Sequence, residues 1–193
     1  MKKIPSLFER DFSNGGTAYD EVTPGCEWVI YGDGVPTVKI DGTAVLVKEG
    51  RLYRRYDCKE GKTPPSDWEP CEPAPDPVTG HWPGWVPVGE GPEDRWFREA
   101  WSSALNPHDG TYECVGPKIG TAYRHLTKHQ LLCHGTPVYD GYNEEPELNF
   151  EGIRDFLARH HIEGIVWHHE DGRMVKVKRK DFGLEWPGEG AFG

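Results

Sequence analysis

Turn signals made of glycine and an acidic residue divide the first third of this chain into pieces too short for long helices. Gly-Asp-Gly, Asp-Gly and Glu-Gly separate short runs that are rich in β-branched and aromatic residues. Such runs between tight turns are typical of strands joined in hairpins. The sequence therefore predicts strands at residues 26–31, 35–40, 43–47 and 52–56.

Proline and tryptophan dominate the next segment. Nine of the 17 prolines fall within residues 58–94, and no hydrophobic period of a strand or a helix persists there. We interpret 58–94 as one long loop, stiffened by proline and pinned by tryptophan. A proline-rich docking motif is the less favoured interpretation, because such motifs are normally exposed and rarely carry several tryptophans.

Helical and hairpin patterns follow this segment. Apolar residues at helical spacing predict short helices at 95–105 and, with Asn149 as the cap, at 150–160. Near the end, two apolar runs flank Glu-Asp-Gly-Arg at 170–173, where Asp-Gly indicates a two-residue hairpin turn. Together these elements predict an α+β fold.

Size, charge and cysteine usage exclude several classes of protein. A length of 193 residues predicts a single domain over 1–193. Lys and Arg total 22 against 32 Asp and Glu, a formal charge of −10, so a role with nucleic acid requires a local basic patch. Five cysteines without Cys-x-x-Cys, and the absence of a signal-type or membrane-spanning apolar run, predict a cytoplasmic protein without membrane contact.

The C-terminal hairpin carries a charged face. If the Asp-Gly pair is the centre of the turn, counting outward places Ile165 opposite Lys178, and Glu163, Lys176 and Lys178 share one face. That face is either a solvated surface with ordinary ion pairs or a phosphate-binding surface. The run 173–180 holds five basic residues and no acid, and it is the only obvious phosphate-binding patch in the sequence.

A second candidate is the segment Lys39-Ile-Asp41-Gly42. In extended chain Lys39 and Asp41 would project to the same side, about 7 Å apart at the backbone. A lysine amine beside a carboxylate suits covalent catalysis. The same tetrapeptide is also what an ordinary Asp-Gly hairpin contains, so both interpretations stay open at this point.

The order of five short motifs resembles the covalent nucleotidyltransferase superfamily of polynucleotide ligases and capping enzymes. In chain order these are Lys39-Ile-Asp41-Gly42, Arg55, Thr-Tyr-Glu113, Glu163-Gly-Ile-Val and Lys176-Val-Lys178. Longer matches at 39–43, 80–88, 163–168 and 176–187 look like the vertebrate-type ATP-dependent 5′-to-3′ RNA ligase family. The resemblance runs from about residue 38 to residue 187.

This resemblance implies a nucleotidyltransferase domain, with antiparallel sheets and flanking helices lining a nucleotide groove. Lys39 would be the nucleophile that takes AMP from ATP, and Asp41, Lys176 and Lys178 would be the other catalytic groups. Glu163 and Asp41 would hold Mg²⁺ or Mn²⁺. The residues implied to hold the nucleotide are Lys39, Gly42, Arg55, Glu113, Glu163, Lys176 and Lys178.

The implied reaction suits these residue types. A lysine amine attacks phosphorus only when it is unprotonated, although its ordinary pKa is about 10.4, so burial and nearby cations are expected to favour the neutral form. AMP would then pass to an RNA 5′-phosphate, and a 3′-hydroxyl would displace it. The expected partners are ATP and RNA with 5′-phosphate and 3′-hydroxyl ends. We expect the protein to be a monomer.

Departures from the family leave alternatives open. We expect no accessory domain after Trp186, and Ala44 stands where some other RNA ligases have Asn. The alternatives are a capping guanylyltransferase, a DNA ligase, or a non-catalytic RNA-end-binding module. The nine histidines include no His-Glu-x-x-His, so His129 and His134 are expected to be structural or to face RNA rather than to bind zinc.

Overall fold

The computed structural model describes residues 3–77 and 79–185. In chain order the strands are β1 (Phe8–Asp11), β2 (Thr17–Val22), β3 (Val35–Lys39), β4 (Thr43–Lys48), β5 (Arg51–Cys58), β6 (Glu69–Pro70), β7 (Trp82–Pro87), β8 (Gly110–Val115), β9 (Gln130–Cys133), β10 (Gly164–His168) and β11 (Met174–Lys178), and the helices are α1 (Arg95–Ser103), α2 (Val138–Tyr142) and α3 (Phe150–Arg159). Antiparallel sheets with few helices confirm the predicted α+β class.

The described residues form two compact units. The six-stranded unit comprises residue 3 and residues 41–134, and the three-stranded unit comprises residues 4–40 and 135–185. The chain therefore passes from one unit to the other between Ile40 and Asp41, inside the Lys-x-Asp-Gly segment. The prediction of one domain over 1–193 stays a prediction.

The six-stranded unit is an antiparallel sheet covered by one helix. Its strand order is β6-β7-β5-β4-β8-β9. The buried face of α1, with Phe97 and Ala100, packs on Val45 and Val47 of β4 and on Tyr112 of β8. The helix predicted at 95–105 is thus confirmed, with its end at Ser103.

The three-stranded unit is built around β10, which lies between β3 and β11. One face of this sheet is apolar, and its Ile165 and Trp167 are fully buried with Phe156 of α3. The predicted helix cap is confirmed, since the Asn149 side chain accepts a hydrogen bond from the Gly152 N–H at 2.7 Å. The β1–β2 hairpin belongs to the same unit.

The turn between β10 and β11 is longer than predicted. The His169 N–H donates to the Arg173 carbonyl at 2.9 Å, which leaves residues 170–172 as a three-residue loop. Gly172 has φ +88°, the left-handed conformation that such a loop requires at its last position.

One extra loop residue reverses the predicted register. Ile165 lies opposite Val177, and Lys178 lies opposite Gly164. The predicted pairing of Ile165 with Lys178 was wrong, because the loop contains one more residue than predicted. This shift of one residue moves each side chain of β11 to the other face of the sheet. The apolar residues consequently line the core, and Lys176 and Lys178 lie on the opposite face.

The predicted loop over 58–94 contains two missed strands, the short β6 and the longer β7. β7 pairs with β5 along its whole length and with the short β6 on its other side. Pro83 and Pro87 argued against a strand here because proline lacks the N–H of a central strand. Both fall on β7, where the Pro83 carbonyl still accepts the Cys71 N–H at 2.9 Å.

Residues 26–31, predicted as a strand, form consecutive turns instead. The Val29 N–H donates to the Cys26 carbonyl, and the Tyr31 N–H donates to the Glu27 carbonyl. The pattern of a short buried apolar run does not distinguish a strand from helical turns. Here the run forms helical turns, and these place Trp28 in the core. Within the described part of the chain, no helix has the length and apolar character needed to cross a membrane.

Candidate active site

A row of three residues crosses the sheet of the three-stranded unit. Lys39 on β3, Gly164 on β10 and Lys178 on β11 lie directly opposite one another. A Cβ at Gly164 would collide with the carbonyl oxygen of Val177. Opposed residues share a face, so the two lysine side chains project on either side of a gap left by glycine.

The Glu163 carboxylate joins these two lysines. Lys39 Nζ donates to Glu163 Oε2 at 2.5 Å, and Lys178 Nζ lies 3.5 Å from Oε1. The three side chains are only 14 to 23% exposed. Hydrogen-bonded ion pairs with this little exposure are stronger than those at an open surface.

Lys176 completes the group, two positions before Lys178 on the same face of β11. Burial, together with the positive charges of Lys178 and Lys39, lowers the pKa of Lys176 to about 8, while Asp181 and Glu163 act in the opposite direction. Burial also lowers the pKa of Lys178. An anion bound here would counter both effects.

We call Lys39, Glu163, Lys176 and Lys178 the lysine cluster. It holds three amines against one carboxylate, in a chain whose formal charge is −10. An ordinary solvated surface contains balanced ion pairs and would not show this excess of partly buried positive charge. Burying a positive charge without a counter-ion costs free energy. The cluster is thus suited to bind a phosphate group.

The six-stranded unit contains a second constellation, centred on Glu113 of β8. This side chain is nearly buried, and its Oε2 lies 2.8 Å from His134 Nε2. His134 Nδ1 in turn lies 3.0 Å from the Thr111 hydroxyl. With the hydroxyl donating to Nδ1, the Nε2–H donates to the carboxylate and fixes its direction.

Gly42 lies against this same carboxylate-bearing residue. A Cβ at Gly42 would come within 2.8 Å of Glu113 Cγ, so glycine is needed here for the close approach of β8. The alternation of Thr111 and Glu113 on one strand was readable from the sequence. No local pattern signalled that His134 would connect them.

Asp41 has a different environment from the one predicted. β3 ends at Lys39, so the alternation of an extended strand does not continue to Asp41. Asp41 Oδ2 accepts the backbone N–H of Thr121 at 2.5 Å and of Ala122 at 3.3 Å. The carboxylate therefore anchors the backbone of its own unit.

Arg55 lies on β5 of the six-stranded unit. Its Nε donates to Asp57 Oδ1 at 2.9 Å, and its guanidinium lies 5.8 Å from the ring centre of Trp85. The side chain is 18% exposed. A guanidinium held in this way is oriented by neighbours of the same sheet.

The residues of the basic run 173–180 lie in different environments, and phosphate binding by this run stays a prediction. Arg179 is buried and donates to three main-chain carbonyls. Arg173 pairs with Asp171 at 2.8 Å, while Lys176 and Lys178 belong to the lysine cluster. Side chains alternate between the two faces of β11, and a short helical turn follows this strand. Basic residues that are close in the sequence therefore point in different directions. Trp186 and Pro187, at the end of the longest family-like motif, lie outside the described residues.

The two predicted metal ligands differ in their suitability. Mg²⁺ is commonly bound by one or two carboxylates together with phosphate oxygens of a substrate. Glu163 fits that role beside phosphates, whereas Asp41 Oδ2 is taken by two backbone donors. Over residues 3–77 and 79–185, no three or more His, Cys, Asp or Glu side chains are grouped so as to hold a metal by themselves.

Comparison with known sequences identifies relatives. The family described as RNA ligase 1 matches residues 106–192. RNA ligase 1 of Danio rerio is 30% identical over 141 residues, which cover 56% of this chain and 42% of the relative. RNA ligase 1 of Pongo abelii is 30% identical over 171 residues, covering 65% and 50%. RNA ligase 1 of Mus musculus is 28% identical over 182 residues, covering 72% and 54%.

This chain spans about half the length of the curated relatives it matches. The family match includes Glu113, Glu163, Lys176 and Lys178 but begins after Lys39. The comparisons confirm the resemblance that the motifs indicated: the chain is related to the vertebrate-type RNA ligase family.

Proposed function

We propose that the protein is an ATP-dependent RNA ligase, which joins an RNA 5′-phosphate to a 3′-hydroxyl through a lysyl-AMP intermediate. The observation that carries this proposal is the lysine cluster, in which a nucleophile candidate, Lys39, contacts Glu163 beside two further amines. The relatives named RNA ligase 1 support RNA as the substrate.

The first step transfers AMP to Lys39. Lys39 loses an ammonium proton to solvent, Glu163 Oε2 at 2.5 Å from Nζ orients the resulting amine, and the amine attacks the α-phosphorus of ATP. A P–N bond forms with loss of a second amine proton to solvent. The P–O bond to the β-phosphate breaks, and pyrophosphate leaves with its electron pair.

Lys176 and Lys178 neutralise the charge that develops on the phosphate oxygens during this displacement. Mg²⁺ or Mn²⁺, held by Glu163 and phosphate oxygens, supplies further neutralisation when bound. Burial favours this arrangement, because charges interact more strongly where water is excluded.

The second step uses the same phosphorus atom: an oxygen of the RNA 5′-phosphate attacks it, the P–N bond breaks, and Lys39 leaves as an amine that takes up a proton. In the third step the RNA 3′-hydroxyl loses its proton and attacks the phosphorus of the RNA 5′-phosphate, which forms the phosphodiester and releases AMP. Glu113, oriented by His134, accepts a hydrogen bond from a ribose hydroxyl, and Arg55 contacts the ribose or a phosphate. We propose that residues 1–193 act as one nucleotidyltransferase domain with a nucleotide groove lined by antiparallel sheets.

Intact-mass measurement after incubation with ATP and Mg²⁺ tests the first step. The wild type is expected to gain one AMP, which fragmentation maps to Lys39. Lys39→Ala and Lys39→Arg are expected to gain none, while the exposed-surface control Lys62→Ala gains one as the wild type does. An adduct that persists in Lys39→Ala, or an unmodified wild type, contradicts the assignment.

The acceptor is tested separately. Labelled ATP and GTP are compared as donors, with 5′-phosphorylated single-stranded RNA, 5′-diphosphate RNA and nicked DNA as acceptors. Sealing of RNA with ATP supports the proposal. Labelling by GTP with transfer to diphosphate ends indicates a capping enzyme, sealing of nicked DNA indicates a DNA ligase, and no covalent nucleotide indicates a binding module.

A further inference from the structure

The segment between β8 and β9 is basic in an acidic protein. From Cys114 to Tyr139 the sequence contains no Asp or Glu, although acids outnumber basic residues 32 to 22 in the whole chain. We call residues 116–129 the basic loop. Its charged side chains Lys118, Arg124 and Lys128 are all exposed, as is His125.

The backbone of the basic loop is held at several points. Gly116 and Ile119 exchange backbone hydrogen bonds of 3.1 Å, and Ile119 is buried. The Lys118 N–H donates to Nε2 of the buried His129 at 3.2 Å. Asp41 accepts two further N–H groups of the loop. The exposed cations are therefore carried on a defined surface rather than on a free tail.

Two carboxylates, those of Glu99 and Asp41, accept hydrogen bonds from N–H groups of the basic loop. Glu99 contacts both the backbone N–H and the ring Nδ1 of His129. Asp41 Oδ2 faces the Thr121 and Ala122 amides. Hydrogen bonds from His129 lower the pKa of the Glu99 carboxyl, and the nearby Lys128 contributes to the same shift.

The basic run 173–180, the other obvious basic segment, offers fewer exposed cations. Arg179 is bound to carbonyls, and two lysines belong to the lysine cluster. Arg173 is exposed but paired with Asp171, and Lys180 is exposed. The basic loop provides three exposed cations within eleven residues.

We propose that Lys118, Arg124 and Lys128 of the basic loop form a surface that binds the phosphate backbone of the RNA strand. This inference rests on the proposed function, because it takes RNA as the substrate. Three phosphate contacts on a single strand are few, so binding is weak, with a slope of about −2 in log affinity against log salt. Asp41, which accepts two N–H groups of this loop, lies two residues after Lys39 in the sequence.

Charge reversal of the loop tests the proposal. RNA binding is measured by fluorescence anisotropy with a labelled 5′-phosphorylated single strand over a salt series. Lys118→Glu/Arg124→Glu/Lys128→Glu is expected to bind at least tenfold more weakly than the wild type, with the salt slope nearly abolished. The matched control Arg51→Glu/Lys59→Glu/Lys62→Glu reverses three exposed cations of the same unit and is expected to keep most of the affinity.

Equal losses in the two triple variants overturn the proposal, since net charge alone then explains the effect. So does an unchanged slope in the loop variant, or a wild type that binds no RNA at low salt. Thermal unfolding verifies that each variant is folded, and the Gln triple at the same loop positions replaces the Glu triple if that one is not. Adenylylation of the wild type without RNA is scored independently, so a failure of the ligase assignment is distinguishable from a failure of this surface.

Discussion

Lys176 and Lys178 place positive charge beside Lys39 on a partly buried face, and the first prediction concerns this charge. We expect Lys176→Ala and Lys178→Ala each to slow single-turnover adenylylation about a hundredfold, because loss of one positioned charge costs about 3 kcal/mol in the transition state. Lys180→Ala, exposed and two positions beyond, is the control and is expected to change the rate little. Unchanged rates in both cluster variants would refute the role given to this face.

The lowered pKa of Lys176 predicts proton uptake when a nucleotide binds. With a pKa of about 8 this amine is roughly half protonated at pH 8, and a bound triphosphate raises the pKa and completes protonation. Calorimetry with α,β-methylene ATP, which cannot transfer AMP because carbon replaces the bridging oxygen next to the α-phosphorus, is compared in two buffers of different ionisation enthalpy.

Net proton uptake is expected at pH 8 and is expected to fall towards zero near pH 6.5, where the amine is already charged. Lys176→Met keeps the length of the stem but cannot titrate, and it is expected to lose most of the uptake. A wild-type binding heat that does not depend on the buffer at pH 8 contradicts the prediction.

At the scale of strands and helices, Gly164 is the position on which the central row depends. Gly164→Ala introduces a Cβ that meets the Val177 carbonyl and comes within 3.0 Å of Lys178 Cα. We expect this substitution to loosen the β10–β11 pairing and to lower the free energy of unfolding by about 1–3 kcal/mol.

Chemical denaturation measures the Gly164→Ala effect. The control is Gly141→Ala in α2, where a Cβ has open space and alanine favours the helix. If Gly164→Ala is as stable as the wild type and adenylylates at the same rate, then glycine is not required in this row.

The elements differ in how far the sequence predicted them. The helix after Asn149 was predictable because its cap and its apolar spacing are local. The β10–β11 register was not, since Asp-Gly fits both a two-residue and a three-residue loop, and one residue decides which face is buried. β7 was missed because its prolines oppose the pattern of a strand, although pairing with β5 tolerates them.

The candidate site follows the same division. Lys39, Glu163, Lys176 and Lys178 were found through their motifs, and the structure brings them together. His134 was not assigned to Glu113, because that contact crosses 21 residues with no periodic signal. The family resemblance implied a catalytic role for Asp41, whereas its Oδ2 faces backbone donors of residues 121 and 122.

At the scale of the whole molecule, the formal charge of −10 disfavours association with RNA, which is also negatively charged. Binding of RNA by the proposed ligase therefore depends on local contacts. We expect sealing of RNA ends to fall with added salt well before self-adenylylation, because ATP is held by partly buried groups and RNA by exposed ones. Both steps are followed over one salt series, using preadenylylated protein for the sealing step. Equal salt tolerance of the two steps contradicts this expectation.

The pairing of β3 with β10 also has a consequence for biosynthesis. Lys39 leaves the ribosome 124 residues before Glu163, and Lys178 follows later still. At about 5–20 residues per second, a nascent chain therefore carries the proposed nucleophile Lys39 for several seconds before Glu163, Lys176 and Lys178 are made. A polypeptide released before codon 163 contains Lys39 and the complete six-stranded unit but lacks Glu163, Lys176 and Lys178, so the proposed ligase could form its lysine cluster only once the last strand is translated.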